Sequence, residues 1–251
     1  MVRLLFIGAH PDDETFLAAG TLAKYAAAGV HVAIVCATRG ERGATGDLCS
    51  IEELPRVREA EVREAGRVLG ASEVEVLPFV DQLLASAPAD DIRRRIVQII
   101  RRIRPETVIT FDPEGGNQHP DHIAISRFGA DGISAAADGR WYPEAGKPHV
   151  VGRLLWQSPL HVFDLGRMPD LQGQPGLDFL IDIEPFRDRK EAALRAHRTQ
   201  WPGLHKIFFE KGKPEETMRW EAFRVAYGPR PANPPADDLF KHEVTSVSTI
   251  S

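Results

Sequence analysis

Two short clusters in this chain carry residue types that a hydrophobic core does not need. The first is His10-Pro11-Asp12-Asp13-Glu14, directly behind the apolar run Leu4-Leu5-Phe6-Ile7-Gly8-Ala9 and directly ahead of Thr15 to Ala28, which reads as a helix. The second is Asp112-Pro113-Glu114-Gly115-Gly116-Asn117-Gln118-His119-Pro120-Asp121-His122. Each places His-Pro-Asp after an expected strand, where a helix opens. Proline is tolerated at the first helical position because its missing N–H had no partner there. Acids in the first turn face the positive end of the helix dipole. Capping therefore explains part of each cluster. It does not explain two such starts, each with a histidine. A site for a divalent metal does.

The candidate ligands are His10, Asp13 and His122. Two imidazoles and a carboxylate suit zinc and leave a fourth position for water, as catalytic zinc sites do. The same set could hold ferrous iron, because ligand type alone does not fix the metal. A metal lowers the pKa of its bound water to about neutrality, creating hydroxide where an electrophile can reach it. Asp12, beside a ligand, is placed to accept the water's proton. His119 lies three residues before His122, so both can face the site from one helical turn. An imidazole there can stabilise an oxyanion and protonate a leaving amine. Asp121 is either a helix-start acid or the group that fixes the tautomer of His119 or of a ligand histidine.

The elements that must position these residues follow from periodicity. Val2 to Gly8 and Val30 to Ala37 are continuous apolar runs, as expected of strands buried on both faces. Glu53 to Leu69 is a charged amphipathic helix ended by Gly70, and Glu73 to Phe79 is a third strand with Asp81 just past its end. Asp90 to Ile103 places Ile92, Ile96, Ile99 and Ile100 on one helical face. Glu106 to Phe111 is a fourth strand. Strand–helix four times over argues for an α/β fold: a Rossmann-like, doubly wound, mostly parallel sheet with helices on both faces. In the commonest strand order the first and fourth strands are neighbours at the switch point, which would bring the two clusters together.

A nucleotide site is the rival for this topology. It needs a glycine-rich turn after the first strand so that backbone can approach pyrophosphate. Here three carboxylates occupy that turn and would repel phosphate.

The second half is less regular. Asp121 to Ala136 and Pro185 to Thr199 read as helices. Val150 to Trp156, Leu160 to Asp164 and Asp178 to Ile183 read as strands, and Met218 to Phe223 as a further short helix. Gly228 to Asp238 is rich in proline and aspartate. Residues 1–227 are thus expected to form one domain and 228–251 an extended arm, with the acids Asp237 and Asp238 in solvent. The arm is a candidate for packing on a second subunit in a homo-oligomer.

Composition bounds the partners. The chain has 251 residues, 31 basic against 36 acidic, and a net charge of -5, which argues against a nucleic-acid binder. Cys36 and Cys49 are the only cysteines and form no CxxC pair. The apolar run after Arg3 is too short for a signal peptide, and no stretch approaches a membrane span. A cytoplasmic, reducing location is expected.

With these residues in view, the chain resembles the LmbE/PIG-L family of metal-dependent N-deacetylases. Ala9-His10-Pro11-Asp12-Asp13-Glu14 matches the first signature and His119-Pro120-Asp121-His122 the second. Weaker matches are Thr38-Arg39-Gly40-Glu41-Arg42-Gly43, Arg58 with Glu61, Asp81, and Ala193 to Gln200. The resemblance implies a zinc-dependent hydrolase that removes the N-acetyl group from an N-acetylglucosamine-type sugar. It implies His10, Asp13 and His122 as metal ligands and Asp12 as general base. His119 becomes the acid or oxyanion stabiliser, held by Asp121, and Arg58 and Asp81 become substrate-binding residues. Without the resemblance, Arg58 reads as surface helix charge and Asp81 as a turn residue. One departure stands out. Some thiol-sugar deacetylases of the family carry a tyrosine two residues before the first histidine of the second motif, and this chain has Asn117. His197 either reaches the site or is a buried histidine at a helix end. Two other functions stay open: an amidase for a larger acyl or thiol-conjugate amide, and a non-catalytic metal-dependent sugar-binding module.

Overall fold

The computed structural model describes residues 3–160, 170–210 and 213–241. Apart from Leu160, the strand expected over Leu160 to Asp164 lies outside the described residues, as do the last ten residues of the chain. The order of elements is β1 (Arg3–Gly8), α1 (Asp13–Leu17), α2 (Ala19–Ala27), β2 (His31–Thr38), α3 (Leu54–Leu69), β3 (Glu73–Phe79), α4 (Ala89–Ile103) and β4 (Thr107–Thr110). There follow α5 (Gly115–Gln118), α6 (Pro120–Ala137), β5 (Arg153–Gln157), β6 (Phe179–Asp182), α7 (Arg187–Ala196), α8 (Trp201–His205), α9 (Pro214–Thr217) and β7 (Trp220–Tyr227).

Seven strands form one sheet in the order β3-β2-β1-β4-β5-β7-β6. The first five in that row run parallel; β7 is antiparallel to both β5 and β6. The strands at its centre are apolar throughout because both faces are covered. Leu4, Leu5, Phe6, Val32, Ile34, Val108 and Leu155 are all buried. On one face α2, α3 and α7 pack together; on the other, α4 packs on α6. The doubly wound arrangement follows: the chain leaves β1 toward β2 and β3, then returns across the opposite side to β4.

That return sets the site. β1 pairs with β4 in parallel, Leu4 opposite Thr107 and Phe6 opposite Ile109. The two strands therefore end side by side, and the loops leaving them open a crevice at the switch point, where α/β sheets bind ligands.

Three expectations need correction. The helix read over Thr15 to Ala28 is broken at Ala18, whose φ of -142 separates α1 from α2. The helix expected over Met218 to Phe223 is instead, from Trp220 on, the start of β7. There Glu221, Ala222 and Phe223 are buried in succession, and the backbone bonds to a strand on each side. Pairing with β6 over Trp220–Phe223 and with β5 from Phe223 on outweighs the local helical pattern. The arm expected over 228–251, as far as the described residues go, lies along its own subunit. Leu239 is fully buried in the core. Its N–H donates to the Tyr25 hydroxyl at 2.6 Å, and Ala236 bridges to Phe179 of β6. Asp238 accepts from that same Tyr25 hydroxyl at 3.2 Å rather than standing in solvent.

Among the described residues, no helix is long and apolar enough to cross a membrane.

Candidate metal centre and active site

The turn after β1 is built around Asp13. Its Oδ2 accepts the N–H groups of Ala9 at 2.7 Å and His10 at 2.8 Å. This pins the chain just past the strand and leaves Oδ1 pointing at His122 Nε2, 3.2 Å away. The turn after β4 ends in α6, whose N-cap is His119 rather than a hydroxyl or carboxylate residue. Its side chain accepts the N–H of Asp121, with Pro120 at the first helical position. One turn into α6, the His122 ring stacks on Phe111 with centroids 3.9 Å apart.

Three donor atoms converge. His10 Nδ1 is 3.3 Å from His122 Nε2 and 3.8 Å from Asp13 Oδ2. Ligand–zinc bonds of about 2.0–2.1 Å put tetrahedral donors roughly 3.3–3.4 Å apart; the two separations at His122 Nε2, 3.3 Å to His10 Nδ1 and 3.2 Å to Asp13 Oδ1, match that, while the 3.8 Å separation is to the Asp13 oxygen that the backbone N–H groups hold. Tautomers fit a cation there too. His122 Nδ1 faces the carbonyl of Gly115 at 3.1 Å and Asn117 Oδ1 at 3.1 Å. Both are acceptors, so Nδ1 carries the proton and Nε2 presents a lone pair. His10 Nε2 faces two carboxylates, Asp81 Oδ1 and Asp121 Oδ2, each at 3.1 Å, which leaves Nδ1 as the lone pair of its neutral ring. Two nitrogen lone pairs and a carboxylate thus share one small volume and demand positive charge there. Burial pulls the His10 pKa down, but hydrogen bonds to Asp121, Asp13 and Asp81 outweigh it and raise it, so the ring holds a second proton at Nδ1 that a bound cation would displace. His119 adds a third ring nitrogen to the cluster, within 4.8 Å of nitrogens of His10 and His122.

Asp12 sits beside this centre in a conformation few residues adopt. Its φ is 111, a region costly to any residue with a Cβ and most often met at functional positions. The surroundings enforce it. The Asp12 N–H donates to Glu14 Oε2 at 3.1 Å, and its carbonyl accepts from Thr15 and Phe16, each N–H at 3.0 Å. Arg58 donates to the carbonyls of Gly40, at 2.8 Å, and of Pro11, and its NH2 group lies 3.3 Å from Asp12 Oδ2. Burial raises the Asp12 pKa; the Arg58 charge opposes and the Asp13 charge adds.

Of the residues singled out in the sequence, His10, Asp12, Asp13, Arg58, Asp81, His119 and His122 line one cavity of about 500 Å³. Asp121 stands behind it, fully buried. The idea that its carboxylate holds His119 needs correction. That carboxylate is taken by His10 Nε2 and by the N–H groups of Gln82 at 2.6 Å and Leu84 at 3.0 Å. His119 is held instead by the Asp121 backbone N–H, which donates to its Nδ1 at 3.2 Å. The neutral ring therefore carries its proton on Nε2. Burial, then the charges of His122 and His10, lower the His119 pKa.

Arg58 and Asp81 are also placed differently from a free substrate-binding pair. Asp81 bonds to His10 and to the Arg42 N–H at 2.9 Å. Arg58 is buried and ties the turns together, with only Nε lacking a partner among the described residues. His197 does not line the cavity; it is fully buried and meets Glu14 Oε1 at 2.6 Å. Two further residues belong to the site, Asn117 in a role the motif did not suggest. Asn117 Oδ1 accepts the His119 N–H at 3.1 Å and faces His122, so it steadies both histidines. Gln157, at the end of β5, also lines the cavity. No local pattern marks it; only the position of β5 beside β4 does.

Residues 5–133 match the PIG-L family, described as GlcNAc-PI de-N-acetylase. The chain is 34% identical over 238 residues to a 1D-myo-inositol 2-acetamido-2-deoxy-alpha-D-glucopyranoside deacetylase of Rhodococcus jostii (strain RHA1), covering 79% of this chain and 81% of that one. Among solved structures it is similar to the N,N'-diacetylchitobiose deacetylase of Pyrococcus horikoshii, with TM-score 0.70 and 23% identity over 89% of this chain and 83% of that one. It is also similar to GalB, a 4-carboxy-2-hydroxymuconate hydratase of Pseudomonas putida KT2440, with TM-score 0.68 and 19% identity over 90% and 97%. At such identities these two likenesses speak for the fold alone, and they show it hosting different reactions.

Proposed function

The chain belongs to the PIG-L family of GlcNAc-PI de-N-acetylases, and from that premise we propose that it hydrolyses the N-acetyl amide of an N-acetylglucosamine-type sugar. The observation that carries the reading is the convergence of His10 Nδ1, Asp13 and His122 Nε2, with Asp12 and His119 on the same cavity.

In this reading His10, Asp13 and His122 hold a divalent cation, zinc or ferrous iron. Bound there, it supplies Lewis acidity, polarising an amide carbonyl and making water a nucleophile near neutral pH. The chain supplies the rest. Asp12, fixed by Glu14 and Arg58, takes the proton of the attacking water. His119 presents Nε2–H to the oxygen that gains charge, and the proton that Asp12 has taken from water passes to the departing amine. Asp121 and Asp81 act through His10, keeping its proton on Nε2 and its Nδ1 turned inward. Arg58 acts chiefly through Asp12.

The experiment is acetate release from a panel of N-acetylglucosamine compounds by purified, metal-loaded protein. Release that is lost on chelation and restored by metal is expected; no release from any member sinks the proposal. A second reading, hydrolysis of a larger acyl or thiol-conjugate amide, is favoured by one feature. Phe16, Leu204 and Ile207 give the cavity an apolar wall, more than an acetyl group needs. Release of a longer acid from N-acylated sugars, faster than acetate, would select it.

A further inference from the structure

Four amide side chains line the cavity: Gln82, Asn117, Gln157 and Gln200. Three are committed to the protein. Gln82 Nε2 donates to the Arg42 carbonyl at 3.3 Å, Asn117 Oδ1 accepts the His119 N–H at 3.1 Å, and Gln200 Nε2 donates to the Ala44 carbonyl at 2.7 Å. Gln157 is different. Its Oε1 is buried and, among the described residues, meets no donor. A buried acceptor left unpaired is uncommon and calls for a partner from outside the chain.

The backbone opposite leaves room for that oxygen. Gly116 also lines the cavity, and a Cβ there would stand 2.6 Å from Gln157 Oε1. Its φ of +68 is itself a conformation suited to glycine. Gly116 lies in α5, just past the end of β4, and Gln157 is the last residue of β5, the strand beside β4 in the sheet. They face each other within the same cavity as Asp13, His10 and His122.

We infer that Gln157 is a specificity-determining residue whose Oε1 accepts a hydrogen bond from a ring hydroxyl of the substrate. The inference rests on the proposed deacetylase reading and deepens it. An acceptor oxygen selects for a donor. The acetamide is engaged at the metal end of the cavity, so the donor comes from another part of the ligand. Hydroxyl groups on a sugar ring supply such donors; phosphate, carboxylate and hydrocarbon do not. A site built to bond a hydroxyl discriminates against analogues that lack it more sharply than an apolar pocket does. Gln157 thus directs the enzyme toward polyhydroxylated N-acetyl compounds and away from simple acylated amines.

The test uses the full chain, metal-loaded, with Asp12→Asn to hold substrate uncleaved. Calorimetric binding of an N-acetylglucosaminide is compared with and without Gln157→Leu, and kcat/KM and Tm are measured for Gln157→Leu in the otherwise native chain. Expected are roughly ten- to hundredfold losses in affinity and in kcat/KM, with Tm unchanged or raised because an orphaned acceptor has gone. Gln157→Glu, which keeps an acceptor in place, should recover most of the binding and also serves if the leucine variant fails to fold. A lower Tm with unchanged affinity marks a merely structural residue and overturns the assignment. Binding and turnover that neither variant alters overturn it equally. If the Asp12→Asn protein binds no N-acetylated amino sugar and the native chain cleaves none, the functional reading fails first and this assignment falls with it.

Discussion

His10 Nδ1 and His122 Nε2 lie 3.3 Å apart although 112 positions separate the residues in the chain. Neither helix contributes both, and neither strand does. The meeting is made by the parallel pairing of β1 with β4, so the proposed ligand set is anchored at the middle of the sheet. Removing one ring should then abolish tight binding without disturbing the fold. His122→Ala is expected to lose metal affinity by at least about a hundredfold, since outer partners of a ligand alone are worth roughly 10–100-fold. Elemental analysis after dialysis reads this directly; stoichiometric metal in the variant would remove His122 from the ligand set.

Asp121 tests the reassigned hydrogen bond. Its carboxylate holds His10 Nε2 at 3.1 Å and not His119. Asp121→Asn should therefore weaken metal binding by about 10–100-fold. If the carboxylate acted on His119 instead, metal affinity would stay and only kcat would fall. Titration against a competing chelator separates the two.

Asp12→Asn keeps the size of the side chain and removes the base. Expected is full metal content with turnover reduced by about 10²–10⁴-fold, the usual worth of a general base. Undiminished kcat in that variant would refute the role. The backbone at Asp12, with φ of 111, is held by Glu14 and neighbours that remain, so the loss is chemical rather than conformational.

Much of this was legible in the sequence, for a physical reason. Caps and apolar runs are local, and the two His-Pro-Asp starts announce both themselves and the strands before them. Strand alternation with helices then implied that β1 and β4 are neighbours. What stayed hidden depends on long-range packing. Asp121 is a plausible cap by sequence and a buried partner of His10 only in space. Asn117 matters because its turn folds back on His119 and His122. Gln157 belongs to the site only because β5 extends the sheet beyond β4, and β7 is a strand only because β5 and β6 leave a gap for it. Leu239 looks like part of a polar arm until Tyr25 and the core receive it.

The buried His197–Glu14 pair, 2.6 Å apart, makes stability depend on pH. Burial lowers the His197 pKa, but the Glu14 charge and hydrogen bond, with Asp12 behind them, outweigh it and leave the pKa raised from 6.5. The folded state thus holds the proton more tightly than the unfolded chain. The contribution is fully present below the unfolded value near 6.5 and is lost as pH rises through the higher folded value. Denaturation of wild type and His197→Gln should show a difference that shrinks as pH climbs above neutrality. A gap that is constant, or that widens with pH, contradicts the pairing.

Lys190 and Glu221 test the frame that holds the site. Both are buried, with Lys190 Nζ 2.7 Å from Glu221 Oε1. Glu221 also accepts the N–H groups of Gly20 at 3.0 Å and Thr21 at 2.7 Å, at the start of α2. One carboxylate on β7 therefore ties α2 and α7 to the sheet. Glu221→Ala strands a buried ammonium and uncaps two amides, so a loss of about 3–5 kcal/mol is expected. Lys190→Met is expected to be milder, because Glu221 keeps its backbone partners. Equilibrium urea unfolding measures both, and a cost below about 1 kcal/mol for Glu221→Ala would show that water reaches the pair.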